Sequence, residues 1–340
     1  MMANRARIHA SKAMIFALAL GVGCISRAQV TGDQYPQTQT SPPRAVLRIA
    51  LVIGAEHYET LPDVPNALND AKKFAAKLVQ LHFDFVRYVP DPKDDNEIYD
   101  YVSELAQRAV GTPDTPVVIV FFFAGHGFHE GSTNYIVPVA ASIDDKRSQS
   151  YAVSTILAPL TQHMHGVSIF FFDSCRKVIA SEEGFTSQQD PKGGAILGLA
   201  AKYGQVANSF VQEGELDSPY TTALTNYLDI QGYRLPQLLS LVSTEVLRQT
   251  HEKQAPEVYY LGGAEGFGFF FNPTDENLAD DRVKWSNTVD TNDERCVNLY
   301  IRSHPGSSYL SSALEWQHSE SNLQPKSRRG SVCPDELPGH

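Results

Sequence analysis

Apolar residues along this chain fall into two alternating patterns, and the alternation predicts the architecture. Unbroken apolar runs occur in VLRIALVIG (46–54), VVIVFFFAG (117–125) and GVSIFFFDSC (166–175). Runs of this length without polar alternation are expected of strands buried on both faces. Between them the period changes. In NALNDAKKFAAKLVQL (66–81) the apolar residues fall at 68, 71, 74, 75, 78 and 81, one face of a helix. NEIYDYVSELAQRAV (96–110), YAVSTILAPLTQHM (151–164), SPYTTALTNYLD (218–229) and LPQLLSLVSTEVLRQT (235–250) also read as helices. FDFVRYV (83–89) reads as a strand, and GFGFFF (266–271) as the last one. Buried strands alternating with amphipathic helices predict a three-layer α/β fold, with a mostly parallel central sheet and helices on both faces. Ligands bind such sheets beyond the carboxyl ends of the strands.

The two ends of the chain have a different character. Arg5, Arg7 and Lys12 precede the apolar stretch AMIFALALGVGCI (13–25), which is followed by Ser26-Arg27-Ala28. This order reads as a secretory signal peptide, residues 1–28, with cleavage after Ala28 and export to the periplasm or medium. The alternative is an uncleaved anchor, although the apolar core falls short of the ~18 residues of a spanning helix. Residues 29–44, with Pro36, Pro42 and Pro43, read as a linker. A catalytic-sized domain is expected over 45–272, followed by a polar extension, 273–340, that is either disordered or a small appended module. Cys296 and Cys333, 37 residues apart in that extension, can pair in an oxidising compartment, which leaves Cys175 as a single thiol.

Charge narrows the partners. The formal net charge is −11, and removing residues 1–28, which hold four basic and no acidic residues, takes it to −15. That balance argues against nucleic acid, whose binding rests on Lys and Arg, and favours a cationic substrate or peptide. No membrane contact is expected beyond the signal segment.

Chemistry concentrates where two phenylalanine-rich strands end. Phe121–Phe123 run through Ala124 and Gly125 into His126-Gly127, and Phe170–Phe172 run into Asp173-Ser174-Cys175. His126 and Cys175 are 49 residues apart, room for one crossover between neighbouring strands. A thiol attacks as its thiolate, and an imidazole of near-neutral pKa can take its proton and later return it to a leaving amine. The flanking glycines let the backbone turn sharply and leave the Gly127 N–H open to a ligand. With the Cys175 N–H it can hold the oxyanion of a tetrahedral intermediate, a donor of this kind contributing roughly 3 kcal/mol.

These residues, in this order, resemble the caspase-like cysteine peptidases, the caspase, metacaspase and paracaspase clan, and most closely bacterial metacaspase-like members. The spacing of histidine to cysteine matches a known signature of caspases. The resemblance covers 46–271 and includes LVIGAEHYETLP (51–62), ALNDAKKFAAKL (67–78), FFFAGHG, FFFDSCR and the later SPYTTALTNYL. It implies a caspase-like fold and hydrolysis of peptide bonds, with Cys175 as nucleophile and His126 as general base and acid. It further implies that Asp173 and Asp70, the latter in Asn69-Asp70-Ala71, line the pocket for the residue before the scissile bond. Paired carboxylates there favour protein or peptide substrates with Arg or Lys and repel Asp. Ala124 and Lys177 depart from the residues usual in this branch.

The alternative function is a catalytically silent scaffold or peptide-binding module that keeps the same cleft. A thiol oxidoreductase is disfavoured because Cys175 has no resolving cysteine nearby. No cofactor is expected; some relatives need calcium, but no acidic cluster here assigns a calcium site. His129 reads as a loop residue, and the pair His163 and His165 as part of a solvated helix end.

Overall fold

In a computed structural model of the chain, the residues described are 46–110, 116–130, 133–142, 149–162, 166–174, 177–178, 194–202, 207, 217–262, 268–291, 293–304, 307, 309–310, 313–314, 316–317 and 332–334. The stretches read above as signal peptide (1–28) and linker (29–44), and Cys175, His163 and His165, lie outside them.

The unbroken apolar runs are strands. β1 (Leu47–Gly54) leads into α1 (Ala67–Gln80), β2 (Phe85–Pro90), α2 (Asp95–Val110) and β3 (Val117–Gly125). All nine residues of β3 are buried, as a strand covered on both faces requires. Then come β4 (Gly127–Glu130), β5 (Thr133–Ile136), β6 (Tyr151–Ala152), α3 (Val153–Leu160) and β7 (Gly166–Ser174). The chain continues through β8 (Lys177–Val178), β9 (Gly194–Leu199), α4 (Pro219–Tyr227), α5 (Leu235–Gln249) and β10 (Glu257–Leu261). The main sheet has the order β10-β9-β7-β3-β1-β2 and is parallel except for β10.

Strand alternation sends neighbouring phenylalanines to opposite layers. Phe122 and Phe171 join the core formed with α1, α4 and α5, where Phe74 stacks on Phe122 with ring centroids 4.4 Å apart. Phe121, Phe123, Phe170 and Phe172 join the core under α2 and α3. α1 lies so close to β1 that a Cβ on Gly54 would meet the Ala67 carbonyl oxygen at 2.7 Å.

Two expectations are corrected. The last strand of the sheet is β10, EVYYL, and not GFGFFF: its five residues are all half-buried, which weakened its apolar signature. In the 266–271 segment, 266 and 267 lie outside the described residues, and Phe270 makes one isolated bridge to Arg234. Phe269 and Phe271 are buried against the α1 layer. Secondly, three strands of the crossover from β3 to β7 join β8, which follows β7, in a small sheet, β6-β5-β4-β8, whose strands are two to four residues long and too short for periodicity to reveal. His129 therefore belongs to a strand, β4, and is fully buried rather than in a loop.

The C-terminal extension is an appended helical module. α6 (Asp275–Asp290) is capped by Thr274, whose hydroxyl accepts the Asn277 N–H at 3.0 Å. α7 (Glu294–Ser303) contributes Val297, Tyr300 and Ile301 to a separate cluster with Leu310, Ala313 and Leu314. Cys296 and Cys333 form a disulfide, Cα–Cα 5.1 Å, that ties the tail to α7. Among the described residues no helix is long and apolar enough to cross a membrane.

Candidate active site

His126 leaves the end of β3 under a loop that comes from β1. Ala55 N–H donates to Ala124 O at 2.9 Å, which lays residues 55–66 over that end of the sheet. Gly125 has φ +153°, and a Cβ there would come within 2.8 Å of Tyr58 Oη and 2.9 Å of Phe123 Cζ. Only glycine fits so close a passage. Tyr58 Oη accepts the His126 backbone N–H at 2.8 Å and donates to Val137 O at 3.0 Å. Its ring packs on the imidazole, centroids 4.6 Å apart.

The imidazole is oriented as well as placed. His126 Nε2 lies 2.7 Å from Pro62 O. A carbonyl oxygen can only accept, so Nε2 carries the proton and, in the neutral ring, Nδ1 carries the lone pair. His126 is half-buried, so that lone pair belongs to a group at the rim of the core. Tyr58 and Pro62 were not singled out by the sequence, although both lie in LVIGAEHYETLP, a segment that carried the resemblance.

β3 and β7 are parallel neighbours that stop in step, with Ala124 opposite Asp173 and Gly125 opposite Ser174. The next residue on β3 is His126; the next on β7 is Cys175, outside the described residues. Gly127 opens β4 opposite Ile136 and is half-buried. Because Val137 N–H donates to His126 O at 3.0 Å, Gly127 and Ile136 form a pair that exchanges no ladder bonds.

The two predicted carboxylates, 103 positions apart by their numbers, meet inside the protein. Asp70 is 2% and Asp173 6% exposed. Ser218, the residue that caps α4, joins them. Its N–H donates to Asp70 Oδ1 and Oδ2 at 3.1 and 3.3 Å, and its hydroxyl donates to Asp173 Oδ2. Thr221 Oγ1 donates to the same Asp173 oxygen at 2.7 Å. Burial, and then the charge of Asp173, push the Asp70 carboxyl up to about 9. Burial raises Asp173 too, against the hydrogen bonds from Ser218 and Thr221. Two desolvated carboxylates this close do not both ionise without a cation between them. Asp217, next to Ser218, accepts from Asn69 Nδ2 at 2.6 Å and pairs with Lys73, so α1 and the start of α4 are bound together. Ser218 and Thr221 were legible only as part of SPYTTALTNYL, with no role attached. Among the described residues no group of three or more His, Cys, Asp or Glu side chains could hold a metal ion.

Two parallel strands end level, one handing over a histidine and the other running in sequence into a cysteine, the arrangement expected of a caspase-like cysteine peptidase. The caspase domain family model matches residues 47–262, and the chain belongs to that family. It is 28% identical over 145 residues to human mucosa-associated lymphoid tissue lymphoma translocation protein 1, covering 43% of this chain and 17% of that protein. The mouse homolog of that protein is 28% identical over 139 residues, covering 41% and 16%. The chain thus spans less than a fifth of the length of these relatives. Among solved structures, caspase-1 from Spodoptera frugiperda superposes with a TM-score of 0.46 at 14% identity, covering 72% of this chain and 98% of that one.

Proposed function

We propose that the protein is an exported cysteine endopeptidase that cleaves after Arg or Lys. The observation that carries this reading is the buried carboxyl pair Asp70 and Asp173, joined by Ser218, with Asp173 two positions before Cys175 in sequence and one strand from His126. A guanidinium or ammonium entering between the two carboxyls supplies the charge that lets both ionise, whereas an acidic side chain meets uncompensated repulsion.

Cys175 attacks the scissile carbonyl carbon. His126 Nδ1, the nitrogen left with the lone pair, takes the thiol proton and returns it to the departing amine. The acyl-enzyme is then hydrolysed by water activated at the same nitrogen. The N–H groups of Gly127 and Cys175 hold the oxyanion; the pairing of Gly127 with Ile136, which leaves its N–H out of the β4–β5 ladder, supports this role. The Cys296–Cys333 disulfide supports export, since such bonds persist in oxidising compartments.

The test is hydrolysis of matched fluorogenic peptides ending in Arg, Lys or Asp, with and without calcium, beside a Cys175→Ala control. Cysteine-dependent cleavage after Arg or Lys is expected. Preferential cleavage after Asp would refute the pocket. No cleavage by a folded protein whose Cys175 still alkylates would favour the silent scaffold.

A further inference from the structure

The loop that holds His126 has its own anchor. Asp91 follows β2 directly and has φ +44°, in the left-handed region that Asp and Asn tolerate better than most residues. Its backbone N–H donates to Gly54 O at 2.7 Å, so it sits beside the point where β1 gives way to the loop. Its carboxylate collects three donors from the loop's first turn. Oδ1 accepts the N–H groups of Glu56 at 2.7 Å and His57 at 3.2 Å, and Oδ2 accepts from His57 Nδ1 at 2.8 Å. The hydrogen bond and charge of Asp91, together with the charges of Glu56 and Asp63, raise the His57 pKa, which keeps its ring a charged donor to higher pH.

The residue after His57 is Tyr58, which receives the His126 N–H, and four residues on is Pro62, whose carbonyl selects the His126 tautomer. Farther along, Glu59 N–H donates to Val139 O at 2.9 Å and Thr60 Oγ1 to Ala141 O at 2.8 Å. Within the first turn Ala55 N–H donates to Ala124 O at 2.9 Å, Val64 N–H to Glu56 O at 3.0 Å and Leu68 N–H to Glu56 Oε2 at 3.0 Å, and Asp91 adds the bonds that tie Glu56 and His57 to the end of β2. We propose that Asp91 is a positioning residue for His126, acting through residues 56–62 to keep Tyr58 and Pro62 against the imidazole. This rests on the reading of His126 as general base. Without the clamp, the first turn of the loop shifts, Pro62 O moves off Nε2, and part of the population carries its proton on Nδ1, where it is useless as a base. The Asp70–Asp173 pocket is untouched, so turnover falls while substrate affinity stays.

The test uses the full chain with Asp91→Gly and Asp91→Asn. Glycine accepts the left-handed backbone freely and removes all three acceptors. Asparagine keeps Oδ1 for the two N–H groups. On an arginyl peptide, Asp91→Gly is expected to lower kcat roughly 10- to 100-fold, the scale of a misplaced catalytic group, with KM changed less than about threefold. Asp91→Asn is expected to restore kcat to within about threefold of the parent. In ¹⁵N-histidine spectra, with the His126 signals identified by their loss in His126→Gln, the parent should show the Nε2–H tautomer and Asp91→Gly a mixture. Parent-like kcat in Asp91→Gly, or a loss carried by KM alone, overturns the proposal, as does an unchanged His126 tautomer. If the parent cleaves none of the peptides, the peptidase reading fails, and the tautomer measurement still decides the clamp.

Discussion

Asp70 and Asp173 meet through one residue. Ser218 gives its backbone N–H to the first and its hydroxyl to the second, and the same hydroxyl oxygen accepts the Thr221 N–H at 3.1 Å to start α4. The geometry of the carboxyl pair and the position of that helix are therefore one problem with one solution. Whatever loosens Ser218 disturbs both.

Ser218→Ala keeps the N–H to Asp70 but deletes the donor to Asp173 and the helix cap. A lost cap costs about 1 kcal/mol and a lost hydrogen bond to a buried carboxyl about 1.5–3 kcal/mol. A destabilisation of roughly 2–4 kcal/mol is expected in urea unfolding, with KM for arginyl peptides rising more than kcat falls.

The carboxyl pair also sets a pH dependence. Asp70, with a folded value of about 9 against an ordinary 3.8, holds a proton in the folded protein that it loses on unfolding across that interval. Its contribution to stability is thus fully present below its ordinary value and drains away as pH rises towards 9; Asp173, raised in the same direction, adds to the slope. Thermal midpoints measured from pH 5 to 9 should fall for the parent and fall less for Asp70→Asn. A basic ligand reverses the preference, because it binds the ionised pair. Calorimetry of an arginine-ended peptide in buffers of different ionisation enthalpy should show proton release, and KM should drop as pH rises through this range. Proton uptake, or no proton at all, would count against the pocket.

Arg48 holds the far edge of the sheet. Its guanidinium donates to Leu81 O at 3.3 Å, Phe271 O at 3.1 Å and Phe270 O at 3.2 Å, closing the segment between β10 and α6 over the start of β1. Lysine has a compact ammonium on a flexible stem and cannot span three carbonyls in this fork. Arg48→Lys should cost about 2 kcal/mol in urea unfolding and leave kcat for an arginyl peptide within about twofold, since the site lies at the opposite strand ends.

The C-terminal module should loosen independently of the sheet. The Cys296–Cys333 bond closes a loop of 37 residues, for which chain-entropy arguments give roughly 3–4 kcal/mol. After reduction, or in Cys296→Ser, amides of α7 should exchange much faster with solvent while those of β3 and β7 keep their protection. Equal acceleration in β3 would show that the two cores unfold together.

Much of this was legible in the sequence because burial leaves a periodic trace. A strand covered on both faces, such as β3, has no polar position to spare, and a helix with one wet face shows its stripe. Asp70 is buried on α1 with Ala67, Ala71 and Phe74, although the apolar positions of the period pass through 68, 71 and 74 rather than 70. β10 escaped because half-buried residues blur the pattern, and the small sheet because strands of two to four residues have no period to show.

The sequence by itself determined the layered α/β architecture, the strand ends where His126 and Asp173 would stand, and the pairing partner open to Cys296. The tertiary structure alone decided what holds them. Tyr58 and Pro62 reach His126 across 68 and 64 positions, and Ser218 reaches Asp70 across 148. The Pro62 contact is made by a backbone carbonyl, a group every residue carries, and two of the three bonds to Asp91 by backbone N–H groups. Such contacts follow from where the chain passes through space, and the passage is set by packing of the whole sheet rather than by any local pattern.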